Sequence, residues 1–204
     1  MGFYESQIVP RVTNVLLGNK EFGKVRAEEC EGLAGDVVEI GFGSGLNVPY
    51  LPSEVTGLWA VDPSGTAMKL AAKRIAETSI PVQSAGLDGA RLDLPDDRFD
   101  CALSTMTLCT IPDVTSALDE IRRVLKPGGA YHFAEHGLSP DAKVARFQQR
   151  FNPWQMRFAG GCHLNREIAD LIREAKFEIE KVRNFYLKGP KGMGYMTLGV
   201  ARKS

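Results

Sequence analysis

The sequence lacks an excess of either charge: 25 Lys and Arg stand against 25 Asp and Glu. Bulk electrostatics therefore offers nothing to a phosphate backbone, and no nucleic-acid partner is expected. It also lacks any apolar run near the ~18 residues of a spanning helix, and its N-terminus has no basic start followed by an apolar core. Neither a transmembrane segment nor a secretory leader is expected. Cysteine is scarce. Cys30, Cys101, Cys109 and Cys162 form no CxxC pair and show no Cys/His ligand spacing. No disulfide framework and no metal site are expected, and a reducing, cytoplasmic setting fits. No internal repeat or low-complexity linker interrupts the 204 residues, which suit a single domain, 1–204, with a sizeable core.

What is present is an alternation of short apolar runs and helical patterns. Val37–Ile40 and Leu58–Val61 are β-branched or apolar runs, ending in glycines and in Asp62-Pro63-Ser64. A helix is predicted from Gly65 to Ala76 with Ser64 as its cap, then a brief strand over Pro81–Ser84 and another over Asp100–Ser104. Val114–Leu125 has the clearest 3.6 periodicity. Lys126-Pro127-Gly128-Gly129 is expected to stop that helix and turn the chain into a strand at Ala130–Glu135. Asn165 is expected to cap a helix running to Ala175. Two strands, Phe177–Tyr186 and Gly194–Ala201, close the chain without a crossover helix and should pair antiparallel. The fold class is α/β, a Rossmann-like three-layer sandwich whose mostly parallel sheet carries an antiparallel last strand.

Ligands of such sheets bind beyond the carboxyl ends of the strands. Glu39-Ile40-Gly41-Phe42-Gly43-Ser44-Gly45 follows the first strand, where Gly41, Gly43 and Gly45 allow a tight turn and close approach of a ligand. The N–H groups beyond it suit the carboxylate of a methionine moiety. Asp62, beside Pro63, can accept both hydroxyls of a ribose. Gly86-Leu87-Asp88-Gly89 is placed to border an adenine ring, with Leu87 on its face and Asp88 at its amino group. Thr105, at the tip of the fourth strand, completes the expected cofactor contacts with Glu39. The rival reading is a dinucleotide site, whose third glycine would fall at position 46; that residue is Leu46.

With Val61-Asp62-Pro63, Leu94–Asp100 (LPDDRFD) and Arg123–Gly129 (RVLKPGG), these motifs make residues 35–135 resemble the class I S-adenosylmethionine-dependent methyltransferases, in the methyltransferase type 11 group. The resemblance implies a seven-stranded sheet, S-adenosylmethionine as cofactor, S-adenosylhomocysteine as product and no metal requirement. Many members carry an acid directly after the glycine at position 86; here Leu87 intervenes before Asp88.

Methyl transfer from a sulfonium is an in-line displacement, so positioning does most of the work. His136, at the end of the fifth strand, is the candidate general base, against the alternative of a structural hydrogen bond. His132 lies deeper and is expected to be packed. Cys109 and His163 are candidates for the acceptor side, Cys109 with the alternative of an inert buried thiol. Residues 139–162, rich in aromatics including Phe151 and Trp154, are expected to cap an apolar acceptor, against ordinary packing of an amphipathic helix. Residues 1–30 are expected to form a helical lid, with peripheral membrane contact left open.

A narrower resemblance follows from Glu135-His136, Phe151-Asn152-Pro153-Trp154, Gly160–Glu167 (GGCHLNRE) and Gly189-Pro190-Lys191. These look like the mammalian methyltransferase-like thiol S-methyltransferases, which carry an apolar N-terminal anchor that has no counterpart in this sequence. The partner implied is a small-molecule acceptor, a thiol first. The alternatives are O- or N-methylation of a quinone, phenol or lipid amine, and, from another class, a non-catalytic cofactor-binding protein or a nicotinamide-dependent oxidoreductase.

Overall fold

Strands β1 (Gly35–Ile40), β2 (Val55–Val61), β3 (Val82–Gly86), β4 (Phe99–Thr105), β5 (Leu125–His136), β6 (Phe177–Tyr186) and β7 (Tyr195–Lys203) form one sheet in the order β3-β2-β1-β4-β5-β7-β6, in a computed structural model that describes residues 4–204. The first five run parallel. β7 is antiparallel to both β5 and β6, as the missing crossover helix demands. Val37, Val38 and Ile40 are fully buried, because a central parallel strand is covered on both faces.

One face carries α4 (Val114–Val124) and α6 (Ile168–Glu174). Asp113 caps α4 by accepting from the Ser116 N–H at 3.0 Å. Its apolar stripe, Ala117, Leu118, Ile121 and Val124, is buried against Phe99, Tyr131 and Phe133. Burying Leu118 or Ile121 contributes about 1.5–3 kcal/mol each. The other face carries α2 (Lys20–Cys30) and α3 (Gly65–Glu77), with Ser64 capping α3 through the Ala67 N–H at 3.2 Å. α1 (Val9–Leu17) precedes them, touches α3 and buries none of its residues.

Two expectations need correction. Lys126–Gly129 does not separate helix from strand: β5 already starts at Leu125, paired with Phe99, and the register slips before Ala130 meets Cys101. Gly128, at φ +76°, supplies the backbone turn for that slip. Asn165 caps nothing, and α6 starts three residues later. The chain before it is held extended, because the Arg166 carbonyl accepts from Leu138 N–H while the Arg166 guanidinium donates to the carbonyls of Leu108, Ile111 and Pro112. Residues 142–158 form α5 (Ala142–Phe158), whose buried face is polar: Gln148, Asn152 and Gln155. Gln148 bridges Ser139 N–H and Gly137 C=O, and Asn152 accepts from Leu164 N–H at 2.8 Å.

The LPDDRFD and RVLKPGG motifs brace the amino edge of the sheet. Arg123 pairs with Glu120 and Asp96 and donates to the carbonyls of Leu92 and Leu94, while Lys126 pairs with Asp100 at 2.6 Å. A charged surface cleft of about 340 Å³ lies among these residues, remote from the strand tips that end at Gly41 and Asp62.

Candidate functional site

At the carboxyl edge the strand tips are tied side by side. Gly41 and Phe42 N–H donate to Val61 C=O, Asp62 N–H to Gly86 C=O, and Met106 N–H to Ala134 C=O. Gly41 sits at φ +75°, and a Cβ there would lie 1.9 Å from Thr107 Oγ1, so only glycine fits. At Gly86 an added Cβ would meet nothing within 4 Å, and at Gly43 only the Gly41 carbonyl at 3.8 Å. The backbone is therefore bare and open where a ligand would approach.

Asp62 accepts from Gly43 N–H at 2.7 Å through one oxygen and from Ser64 N–H at 2.8 Å through the other. Partial burial raises its pKa, against those two bonds, which lower it. It braces the glycine loop and keeps lone pairs free for hydroxyl donors. Leu87 is exposed, and Asp88 turns back to accept from Ala90 N–H at 2.9 Å.

Beneath the loop lies a buried polar chain. Arg26 Nη1 donates to Asn47 Oδ1 at 2.5 Å; Asn47 Nδ2 donates to Glu39 Oε1 and Thr105 Oγ1, both at 2.8 Å; Thr105 Oγ1 donates to Glu29 Oε2 at 2.8 Å. The chain is incomplete: Arg26 Nε, Glu29 Oε1 and Glu39 Oε2 are buried without a partner. One guanidinium cannot keep two buried carboxyls ionised. Burial pushes Glu39 up to about 8 and Glu29 well above its ordinary range, and lowers Arg26. Orphaned polar atoms at this depth call for a polar guest or water. Arg26, Glu29 and Asn47 were not among the sequence candidates. The available signal was two charged residues on the α2 stripe shared by Phe22, Val25 and Cys30.

Trp154 is 63% exposed and stacks on Phe158, and the half-buried Phe151 stacks on the exposed Phe147. What the fold brings inward is Cys109, fully buried, with its Sγ 3.5 Å from that of Cys162; His136 Nδ1 is 3.5 Å from Cys162 Sγ. His163 N–H donates to Cys109 C=O at 2.6 Å. His132 is packed as expected, its Nδ1 2.7 Å from Glu29 C=O.

The N-terminal segment lies over this edge, its first three residues falling outside the described ones. Ser44 Oγ donates to Asn14 Oδ1 at 2.8 Å, Tyr4 OH donates to Phe158 C=O at 2.7 Å, and Val9 touches Gly160. Under the turn from α1 to α2 a cavity of about 120 Å³, bordered by Arg26, Leu46 and Tyr50, adjoins the loop.

A parallel sheet that closes on an antiparallel β7 and gathers glycine and acid tips at one edge is the architecture of the class I methyltransferases. Residues 38–133 match the family described as methyltransferase domain. Over those residues the chain is a methyltransferase domain. It is 31% identical over 162 residues to thiol S-methyltransferase TMT1B of Rattus norvegicus, a match covering 74% of this chain and 64% of the relative, so the chain spans just under two thirds of that relative's length. Among solved structures it is similar to phosphoethanolamine N-methyltransferase 2 of Haemonchus contortus, in complex with phosphomonomethylethanolamine and S-adenosylhomocysteine (TM-score 0.72, 17% identity, 95% of this chain and 57% of that one). It is also similar to the [4+2]-cyclase SpnF (TM-score 0.68, 21% identity, 95% and 80%). The fold alone therefore does not decide the reaction.

Proposed function

We propose that this chain transfers the methyl group of S-adenosylmethionine to a small, apolar thiol. The observation that carries this reading is the convergence, at one sheet edge, of a bare glycine loop, the Asp62 tip and buried carboxyls with unused oxygens. The residues fit the cofactor. Gly41–Gly45 let it approach the backbone closely, Asp62 accepts from ribose hydroxyls, and Glu39, with Glu29 behind it, faces positive charge. When bound, the cofactor supplies an already activated methyl group, and the protein's part is alignment and exclusion of water.

The thiol follows from the likeness to thiol S-methyltransferases and from acid–base arithmetic. A thiol of pKa ~8.5 costs about 1.5 kcal/mol to ionise near pH 7.4, whereas an alkylamine at ~10.4 costs about 4 kcal/mol. An acceptor edge whose candidate bases are the imidazoles of His136 and His163 is suited to the cheaper nucleophile. Residues 1–30 act as the lid and α5 as the cap beside the acceptor. We place the chain in the cytoplasm, with Val12, Val15 and Leu16, all exposed, as its surface for peripheral membrane contact.

The test is release of S-adenosylhomocysteine with a panel of alkyl and aryl thiols, phenols, hydroquinones, amines and phospholipids. Turnover is expected with apolar thiols. Turnover confined to amines or lipid headgroups removes the thiol reading, and phenol or hydroquinone turnover dependent on His136 replaces it with O-methylation.

A further inference from the structure

Beyond methyl transfer, the geometry points to a soft-metal site of zinc type, built from Cys109, His136 and Cys162 with one coordination position left for an external donor. The three residues are separated by more than twenty positions each along the chain, and no Cys/His ligand spacing announces them. The fold delivers them from the loop after β4, the tip of β5 and the segment after α5, with their ligand atoms all within 4.8 Å of one another.

Two of the three spacings are those of a coordination shell. A tetrahedral centre with Zn–S of about 2.3 Å and Zn–N of about 2.0–2.1 Å holds its ligand atoms roughly 3.5–3.8 Å apart. The Sγ–Sγ and Nδ1–Sγ separations here are both 3.5 Å. The backbones that carry the thiols are fixed independently of them. Cys109 N–H donates to a Glu135 oxygen at 3.2 Å and Cys109 C=O accepts from His163. Gly161, at φ +91°, comes so close to Thr110 C=O that a Cβ would lie 3.3 Å from it, which seats Cys162 beside Cys109. Arg166 clamps the carbonyls on either side of the loop.

Charge balance favours the same occupant. Two thiolates and a dication cancel and the imidazole is neutral, so the filled site buries no net charge, whereas a lone buried thiolate would. Glu135 is not a fourth ligand. One of its oxygens accepts from Ser104 Oγ and Thr107 N–H, both at 3.0 Å, and the other from Cys109 N–H. Three protein ligands with the fourth position open is the arrangement that zinc takes where it works on a substrate.

If the function proposed above holds, the external donor is the thiol acceptor, and this second part rests on that reading. The thiol releases its proton to solvent on binding the ion. Its lone pair then forms the new C–S bond as the methyl–sulfonium bond breaks, giving a thioether and S-adenosylhomocysteine. The thioether, uncharged, is a weaker ligand and leaves.

The experiment uses the full chain, reduced and stripped of metal, with zinc ion alone and no cofactor or thiol. One equivalent of zinc is expected to bind in competition with a chromophoric chelator. Cys162→Ser and His136→Gln should weaken it at least about 100-fold, more than loss of a supporting hydrogen bond does. Cys101→Ser should leave it unchanged, and circular dichroism should confirm that each variant folds. Cobalt in place of zinc should show intense tetrahedral d–d bands and a thiolate charge-transfer band. No stoichiometric uptake, or uptake that survives Cys162→Ser, overturns the site, as does a Cys109–Cys162 disulfide whose reduction restores no zinc binding. A thiol added to the cobalt form should shift its bands. Zinc binding without thiol turnover leaves the site standing and sinks the thiol reading, whereas full turnover by metal-free enzyme leaves the thiol reading standing and overturns the ion's part in it.

Discussion

Glu39→Gln tests the electrostatics under the glycine loop. Glu39 is 1% exposed; one oxygen accepts from Asn47 and the other has no partner. Burial is the main cause that lifts its pKa to about 8, with Asp62 adding to the rise and Asn47 and Arg26 opposing it. Between the unfolded value near 4.5 and about 8, the native chain keeps a proton that the unfolded chain has given up. The stability from this group is thus whole below about pH 4.5 and drains away as pH rises towards 8. At 1.36 kcal/mol per unit, the loss by pH 7 comes to about 3 kcal/mol. Glutamine mimics the protonated carboxyl, its oxygen accepting from Asn47 and its NH₂ standing where the orphan oxygen was. Denaturant unfolding of both proteins from pH 5 to 8 should show the variant ahead by up to about 3 kcal/mol at pH 7, with the gap closing towards pH 5. Subtracting the two curves cancels Glu135, whose pKa is also raised but owes nothing to Glu39, and leaves Glu39 with its coupling to Glu29 and Asp62. Cofactor binding should move the other way. If a positive charge of the cofactor meets Glu39, binding expels the proton, and wild-type affinity tightens by up to about tenfold per unit between pH 6 and 8. The variant should bind more weakly, with that dependence gone. A gap that does not change with pH would show that Glu39 is ionised in the native protein, and the argument fails.

Asp62→Ala should weaken S-adenosylhomocysteine binding by about 1.5–3 kcal/mol in titration calorimetry, the scale of charge-assisted bonds; unchanged affinity reduces Asp62 to a brace for Gly43 and Ser64. Gly41→Ala should abolish binding and lower the melting temperature, because its Cβ would lie 1.9 Å from Thr107 Oγ1 in a positive-φ conformation. Leu118→Ala, remote from the site and 1% exposed, should cost about 2–5 kcal/mol of stability while leaving cofactor affinity intact, read from unfolding and calorimetry together. Trp154→Ala should change stability by less than about 0.5 kcal/mol, since the ring is exposed. A rise in acceptor KM without a fall in kcat would show that the ring caps the substrate.

Periodicity and glycine placement made the sheet legible. Val114–Val124 and the buried run at Val37–Ile40 each have one way of hiding their apolar residues, and the missing crossover before β7 forced its direction. The recognisable motifs split between two jobs. The glycine loop and Asp62 stand at the ligand edge, whereas LPDDRFD and RVLKPGG clamp the opposite edge through Arg123 and Lys126. Much of what identifies the family in the sequence therefore identifies its scaffold. The site's other half was illegible for a physical reason. Aromatic density in α5 signals burial only if the helix turns that face inward, but Gln148 and Asn152 satisfy backbone groups of the Gly137–Ser139 turn and of Leu164, and those bonds fix its rotation with Phe147 and Trp154 exposed. Likewise Cys109, His136 and Cys162 meet only because Arg166 holds the chain before α6 extended across the β4 loop, a tertiary contact that no local spacing encodes. Where residues act through such contacts, the side chains that decide chemistry are specified by what pins the backbone beneath them. Shortening Arg166 to alanine should accordingly cost the cysteine pair its alignment before it costs the sheet its stability.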